Sequence, residues 1–216
     1  MPHTLSPKRQ SGFTLIEIAI VLVIIGLLLG GILKGQELIN SARVKNLATD
    51  FRNVPLYIYG YQDKFRALPG DDPAADTHVG GSKATTGGTP GNGNIEGAWN
   101  STTNTEESYL FWQHVRLAGL APGSTDKTAS DFPPLNALGG RIGVQSANPF
   151  IGINGSYFIC STGILGKYAK QLDTQLDDNN TATGSMMVGT ATGTTATPTA
   201  TTAIVDSTAY TVCMGI

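Results

Sequence analysis

With 216 residues and a net charge of −2, the chain has 14% charged residues, against roughly 25% in ordinary soluble domains. That balance gives no sign of a nucleic-acid-binding surface. The roughly 180 residues after the first apolar run suffice for one globular domain and not clearly for two. That run is the first predicted element. From Phe13 to Leu33 there are 21 residues, and Glu17 is the only charged one. As a helix the run is about 32 Å long, which matches the ~30 Å hydrocarbon core of a bilayer. It is apolar on every side, so it needs lipid or the middle of a helical assembly around it. Lys8 and Arg9 precede it with no acid before residue 13, so its N-terminal side is expected to stay cytoplasmic.

Three readings compete for this stretch. A secretory signal peptide has a shorter apolar core followed by a small-residue cleavage site. Gly30, Gly31 and Gly35 do not make such a site. A plain membrane anchor explains the length but not the acid, because a carboxylate in a membrane helix costs about 2.5–3.5 kcal/mol. The third reading rests on Gly12-Phe13-Thr14-Leu15-Ile16-Glu17 behind a basic leader and ahead of the apolar run. This segment closely resembles the processing site of type IV prepilins and type II secretion pseudopilins. The resemblance implies an inner-membrane prepilin peptidase/methyltransferase that cuts between Gly12 and Phe13 and N-methylates Phe13. It also implies an assembly role for Glu17, whose carboxylate would pair with the new α-amine of a neighbouring subunit. Such a pair is a device for fixing register more than for adding stability. Many pilins carry a Pro within the apolar run. None lies between Phe13 and Lys34 here, and Gly26, Gly30, Gly31 and Gly35 are the weak points instead.

From Asn40 the pattern becomes amphipathic. Val44, Leu47, Phe51, Val54, Ile58, Tyr61 and Phe65 recur every three or four positions, one face of a helix. Pro55 is expected to kink that helix or break a hydrogen bond, and Leu68-Pro69-Gly70 to end it. Residues 70–105 are turn-forming throughout. Asp71, Asp72, Asp76, Asn92, Asn94 and Glu96 there offer oxygen ligands of the kind Ca²⁺ takes, but at no EF-hand spacing. The competing reading is that they are turn residues bonded to their own backbone. No metal or other cofactor is assigned.

A second helix is predicted over Asn104 to Gly119, with Asn104 and Glu107 as a capping box and Gly119 at its end. His114 lies on its apolar side as a hydrogen-bonded core residue, while Trp112 points outward. Short strands are predicted at Arg141–Val144, Ser156–Cys160, Ala203–Asp206 and Tyr210–Met214. A helix is predicted at Ile164–Leu176, stopped by Asp177-Asp178-Asn179-Asn180, where a turn or a weak cation site fits. Residues 181–203 hold ten Thr among 23 positions and are expected to form a mobile, exposed loop. Cys160 and Cys213 read as one disulfide in an oxidising compartment, the alternative being two unrelated thiols.

Together these elements give an α+β chain. A leader at 1–12 is followed by a transmembrane and assembly helix at 13–34 and an amphipathic continuation at 35–68. A periplasmic or extracellular domain occupies 69–216, with the long helix packed on a small antiparallel sheet, the architecture the pilin resemblance implies. In that family a late disulfide often encloses a variable loop, while pseudopilins more often lack one.

The expected function is structural: a major or minor pilin of a type IV pilus-like filament. The alternatives are a type II secretion pseudopilin and a minor tip pilin acting in adhesion or DNA uptake. The implied partners are the peptidase, other pilin subunits in a homo- or hetero-filament, the inner membrane and its assembly platform. The chain would start as a single-pass inner-membrane protein and end in a periplasmic or surface filament. Beyond the leader only His78 and His114 remain as histidines, with no H-E-x-x-H, G-x-S-x-G or phosphate-binding Gly loop. Asp71 and Asp72 diverge as neighbours in an extended segment, so an enzyme is not expected.

Overall fold

The computed structural model describes residues 12–130 and 132–216. The basic leader residues Lys8 and Arg9 lie outside the described residues. In chain order the elements are helix α1 (Leu15–Phe65), a short α2 (Ala75–His78), α3 (Glu107–Leu117), strands β1 (Ile142–Gln145) and β2 (Phe158–Leu165), α4 (Gly166–Leu176), β3 (Met186–Gly189) and β4 (Ala209–Gly215). The chain falls into two units, one up to Ser41 and one from Ala42 onward.

The first unit is helical from Leu15 and runs without a break through Gly26, Gly30, Gly31 and Gly35. Nothing packs against those glycines. Every residue from Gly12 to Lys34 is exposed, including fifteen large apolar side chains. This is the one stretch among the described residues long and apolar enough to cross a membrane.

The second unit is built on a four-stranded antiparallel sheet in the order β1-β2-β4-β3. Side chains alternate between its faces, as the pleat requires. One face carries Ile142, Val144, Ile159, Ile164, Met186, Val188, Tyr210 and Val212 into a single core with α1, α3 and α4. The residues α1 contributes are Val44, Leu47, Ala48, Phe51, Val54, Ile58 and Tyr61, the face that the spacing predicts, with Phe65 half-buried at its end. The helix continues through Pro55. Proline lacks an N–H, and burial of Phe51, Val54 and Ile58 around it offsets the missing hydrogen bond. Arg43 also donates to the Tyr168 hydroxyl of α4 at 3.1 Å.

The opposite face carries Phe158, Cys160, Met187 and Cys213 into a smaller cluster with Trp99, Phe150, Ile153 and Ala191. Cys160 and Cys213 stand directly opposite each other on β2 and β4 and form a disulfide. The bridge is fully buried, so it staples the sheet itself and not the rim of a surface loop.

Several expectations need correction. Residues 181–203 are not a loop throughout, because Ser185-Met186-Met187-Val188 interrupts the Thr and Gly and Met186–Gly189 forms the edge strand β3. Thr181 is buried and donates its hydroxyl to the Thr199 carbonyl at 2.8 Å. Ala203–Asp206 is not a strand; a single 3₁₀ turn covers Thr201–Ala203 and the chain then continues without regular structure. Ile164 and Leu165 belong to β2, so α4 starts at Gly166. The second helix starts at Glu107 and has no side-chain cap, because the Glu107 carboxylate instead accepts the N–H of Glu96 at 2.8 Å. Its end is as expected: Gly119 has φ +76°, and the N–H groups of Gly119 and Leu120 return to the carbonyls of Arg116 and Val115. Trp112 is buried and lies edge-on to Phe111, not outward.

Candidate functional site

The residues singled out at the N-terminus form a compact local arrangement. Gly12 and Phe13 precede the helix, and Phe13 is 86% exposed. Thr14 occupies the N-cap position and Glu17 the third helical position. The Thr14 N–H and hydroxyl both donate to Glu17 Oε2, at 2.8 and 2.7 Å, and the Glu17 N–H reaches back to Thr14 Oγ1 at 3.3 Å. This is a reciprocal capping box, which satisfies N–H groups that a helix start otherwise leaves without partners. The carboxylate also sits where the helix dipole favours negative charge. Sequence reasoning missed the pairing, although Thr14-Leu15-Ile16-Glu17 spells the capping-box pattern. The Glu17 carboxylate is thus held against Thr14, the residue that follows Phe13.

Around residues 70–96 the acids face donors and not one another. Asp71 Oδ1 accepts from the backbone N–H groups of Gly91 and Asn92, and Oδ2 from that of Gly93 at 2.8 Å. Burial, opposed by these hydrogen bonds and aided by Glu96, raises its pKa. Asp72 accepts from the Tyr61 hydroxyl at 2.7 Å and from the Ala74 N–H at 2.8 Å, and lies 2.7 Å from His78 Nδ1. Burial works against its charge, but these partners outweigh it and hold the carboxyl below its ordinary value. Asp76 pairs with Lys83 at 2.9 Å, and Glu96 accepts from the Thr89 N–H and the Asn92 amide. A carboxylate ringed by backbone N–H groups stabilises a turn, so these contacts support the turn reading of the segment. Asp71 and Asp72 line an open groove of about 580 Å³ with Phe65, His78 and Tyr157, yet their carboxylates are taken up by separate networks.

His114 is a hydrogen-bonded core residue, as expected from its place on the apolar side of α3. The Gly70 N–H donates to its Nδ1 at 2.9 Å, and Nε2 lies 2.8 Å from the Ser82 carbonyl. Asp177 and Asp178 cap the turn after α4. With them stands Asp173, a buried acid that sequence reasoning passed over and that only its i, i+4 spacing to Asp177 could have flagged.

The comparisons with known proteins bear on the N-terminal segment. The family model described as the prokaryotic N-terminal methylation motif matches residues 7–33. Nothing among the curated proteins or the solved structures matches the chain. The matched stretch holds Gly12, Phe13, the Thr14–Glu17 cap and the exposed apolar helix. The motif implies processing by prepilin peptidase and assembly with other pilins. Over residues 7–33 the chain carries the N-terminal methylation motif, the prepilin signal found in type IV pilins and pseudopilins.

Proposed function

We propose that this chain is a structural subunit of a type IV pilus-like filament. It is cut between Gly12 and Phe13, N-methylated at Phe13, and assembled through residues 13–34. The observation that carries this reading is the helix face itself. Fifteen large apolar side chains between Phe13 and Leu33 stand exposed with one carboxylate among them. An apolar surface of that extent is stable only in lipid or against other helices.

Before cleavage the segment rests in the inner membrane, with the leader on the cytoplasmic side and the domain from Ala42 outside. Cleavage of the Gly12–Phe13 bond creates an α-amine, and one methyl group leaves its charge in place. In the filament the helices pack together and exchange lipid for one another. The Glu17 carboxylate of one subunit then receives the amine of the next. A subunit out of register buries both charges unpaired, which is strongly unfavourable. The charge pair therefore selects the axial step, and the apolar surface supplies the cohesion.

Mass analysis of the main subunit in sheared filaments tests this. The expected N-terminal peptide begins at Phe13 and carries one methyl group. A chain that keeps residues 1–12 and never leaves the membrane overturns the reading. Deleting the gene sorts the finer roles. Loss of filaments marks a major pilin. Filaments that persist with altered adhesion or DNA uptake mark a minor tip pilin. Lost protein secretion without surface filaments marks a type II secretion pseudopilin. The buried Cys160–Cys213 bridge favours the pilin among these.

A further inference from the structure

Asp173 is the one buried carboxylate among the described residues with neither oxygen in a hydrogen bond. It is 0% exposed, in the last turn of α4. Burying an ionised carboxylate without a partner is strongly unfavourable. Its surroundings make matters worse. Asp177, one turn on, and Asp178 after it bring their own carboxylates close, with one oxygen from each of the three lying within 4.8 Å of the others. All three sit at a helix C-terminus, where the dipole is negative, and that last turn holds no basic residue. No ion pair among the described residues reaches any of them; Lys170, one turn earlier, pairs with Asp206. Burial, then Asp178 and Asp177, push the Asp173 carboxyl up to about 7.

The two outer carboxylates are fixed from behind. Asp177 accepts from the Met186 N–H at 2.8 Å and from the Ser185 hydroxyl at 3.2 Å. Asp178 accepts from the Asn180 N–H at 2.9 Å and from the Thr183 hydroxyl at 2.8 Å. Each of these oxygens keeps a further lone pair. Gly184 (φ +83°) passes so close over Asp177 that a Cβ there would strike its carboxylate. The turn from Asp177 to Met186 is therefore wrapped around the acids. What the arrangement lacks is positive charge at its centre, where Asp173 points.

We propose that Asp173, Asp177 and Asp178 form a binding site for a hard divalent cation of the Ca²⁺ class, which ties the end of α4 to the turn that leads into β3. The donors are all oxygen, with no His or Cys, which suits Ca²⁺ and not Zn²⁺. Water completes the coordination on the exposed Asp178 side. A bound cation supplies the positive charge the cluster lacks, and the three carboxylates become its ligands. With only three protein carboxylates the site belongs to the weak class, with dissociation constants of about 10⁻⁴–10⁻³ M that match extracellular Ca²⁺.

Calorimetric titration of the full-length chain in detergent micelles with CaCl₂ tests the site, alongside thermal unfolding in CaCl₂ and in EDTA. One Ca²⁺ per chain is expected, with a Tm that rises in CaCl₂ because the ion binds the folded state. Asp178→Asn, at an exposed position, should weaken Ca²⁺ binding by roughly tenfold or more, read against that variant's own Tm in EDTA. Asp173→Asn should abolish the Ca²⁺ response while its Tm in EDTA equals or exceeds that of the wild type, since a neutral amide removes the uncompensated charge. A flat titration up to about 10 mM overturns the proposal, as does a Ca²⁺ response that both variants retain. A higher Tm of Asp173→Asn combined with no Ca²⁺ response of the wild type also overturns it, and leaves Asp173 a buried neutral acid.

Discussion

The backbone N–H of Gly70 donates to Nδ1 of His114 at 2.9 Å, so the turn that follows α1 is pinned to the last turn of α3. The imidazole must be neutral to accept there, with its proton on Nε2 facing the Ser82 carbonyl. Burial keeps its pKa below the ordinary 6.5. A base with a depressed pKa contributes stability above the unfolded value and loses it as pH falls below about 6.5, where the unfolded chain takes up the proton first. His114→Ala strands two buried backbone groups and should cost about 2–4 kcal/mol, and the acid loss due to the ring should vanish with it. Gly70→Ala should be as damaging, because φ is +94° and a Cβ would collide with the Glu107 carbonyl. Urea unfolding of each variant across pH checks both.

Glu107 behaves in the opposite sense. It is buried, one oxygen has no partner, and the other accepts the Glu96 N–H. Burial, with Asp71 and Glu96 adding to it against that hydrogen bond, raises its pKa from 4.5 to about 7. Between those values the folded chain holds a proton that the unfolded chain has lost. Stability from this group is therefore present at low pH and drains away as pH rises through the window. Glu107→Gln should match the wild type near pH 4.5 and exceed it above about 7. Urea midpoints that move in parallel at both ends would contradict the assignment.

The Cys160–Cys213 bridge closes a 53-residue span. Loop-closure entropy for that length corresponds to about 4 kcal/mol of stabilisation. The pair lies in an apolar cluster with Phe158 and Met187, so alanine at both positions tests the bridge with little other chemistry. The double variant should lose about 4 kcal/mol and become insensitive to dithiothreitol, while reduction of the wild type brings it down to a similar level. A loss well under 1 kcal/mol would mean that the sheet register alone fixes these strands.

Glu17→Ala removes both the acid and half of the capping box. Loss of the cap alone costs about 1 kcal/mol of local helix stability, too little to expel the segment from a membrane. Cleavage after Gly12 should therefore persist and filament number should fall sharply. Glu17→Gln separates the two roles: the amide still accepts the Thr14 N–H but cannot pair with an amine. If Glu17→Gln filaments are as abundant as wild type, the register role is excluded. Immunoblots for processing and filament counts by electron microscopy read the two steps separately.

How much of this was legible in the sequence depended on the range of the interactions. The apolar run and the Val44-to-Phe65 face are set by periodicity within one helix, so they can be read directly. The strands around Ile142, Phe158 and Tyr210 carry their own β-branched and aromatic residues. β3 does not: Met186, Met187 and Val188 stand among Thr and Gly, and they become a strand only because β4 pairs beside them. The tertiary partner overrides local composition. Trp112 went wrong for the same reason, since α3 is covered on more sides than an amphipathic pattern implies. Asp173 was invisible because an acid on a helix reads as solvent-facing, and only the packing of α4 against the sheet buries it.

The strand order has a consequence for how the domain matures. β4 lies between β2 and β3 yet is the last strand along the chain. β1 and β2 can pair without the C-terminal residues, but β3 has no partner strand until residues 209–215 are in place. Until then the inner edge of β2 presents unpaired N–H and C=O groups, and Cys160 has no Cys213 to oxidise with. The domain stays adhesive and reducible until its last strand is in place. Closing β4 completes the sheet, hides the edge of β2 and brings Cys213 opposite Cys160, where a thiol oxidant can join them.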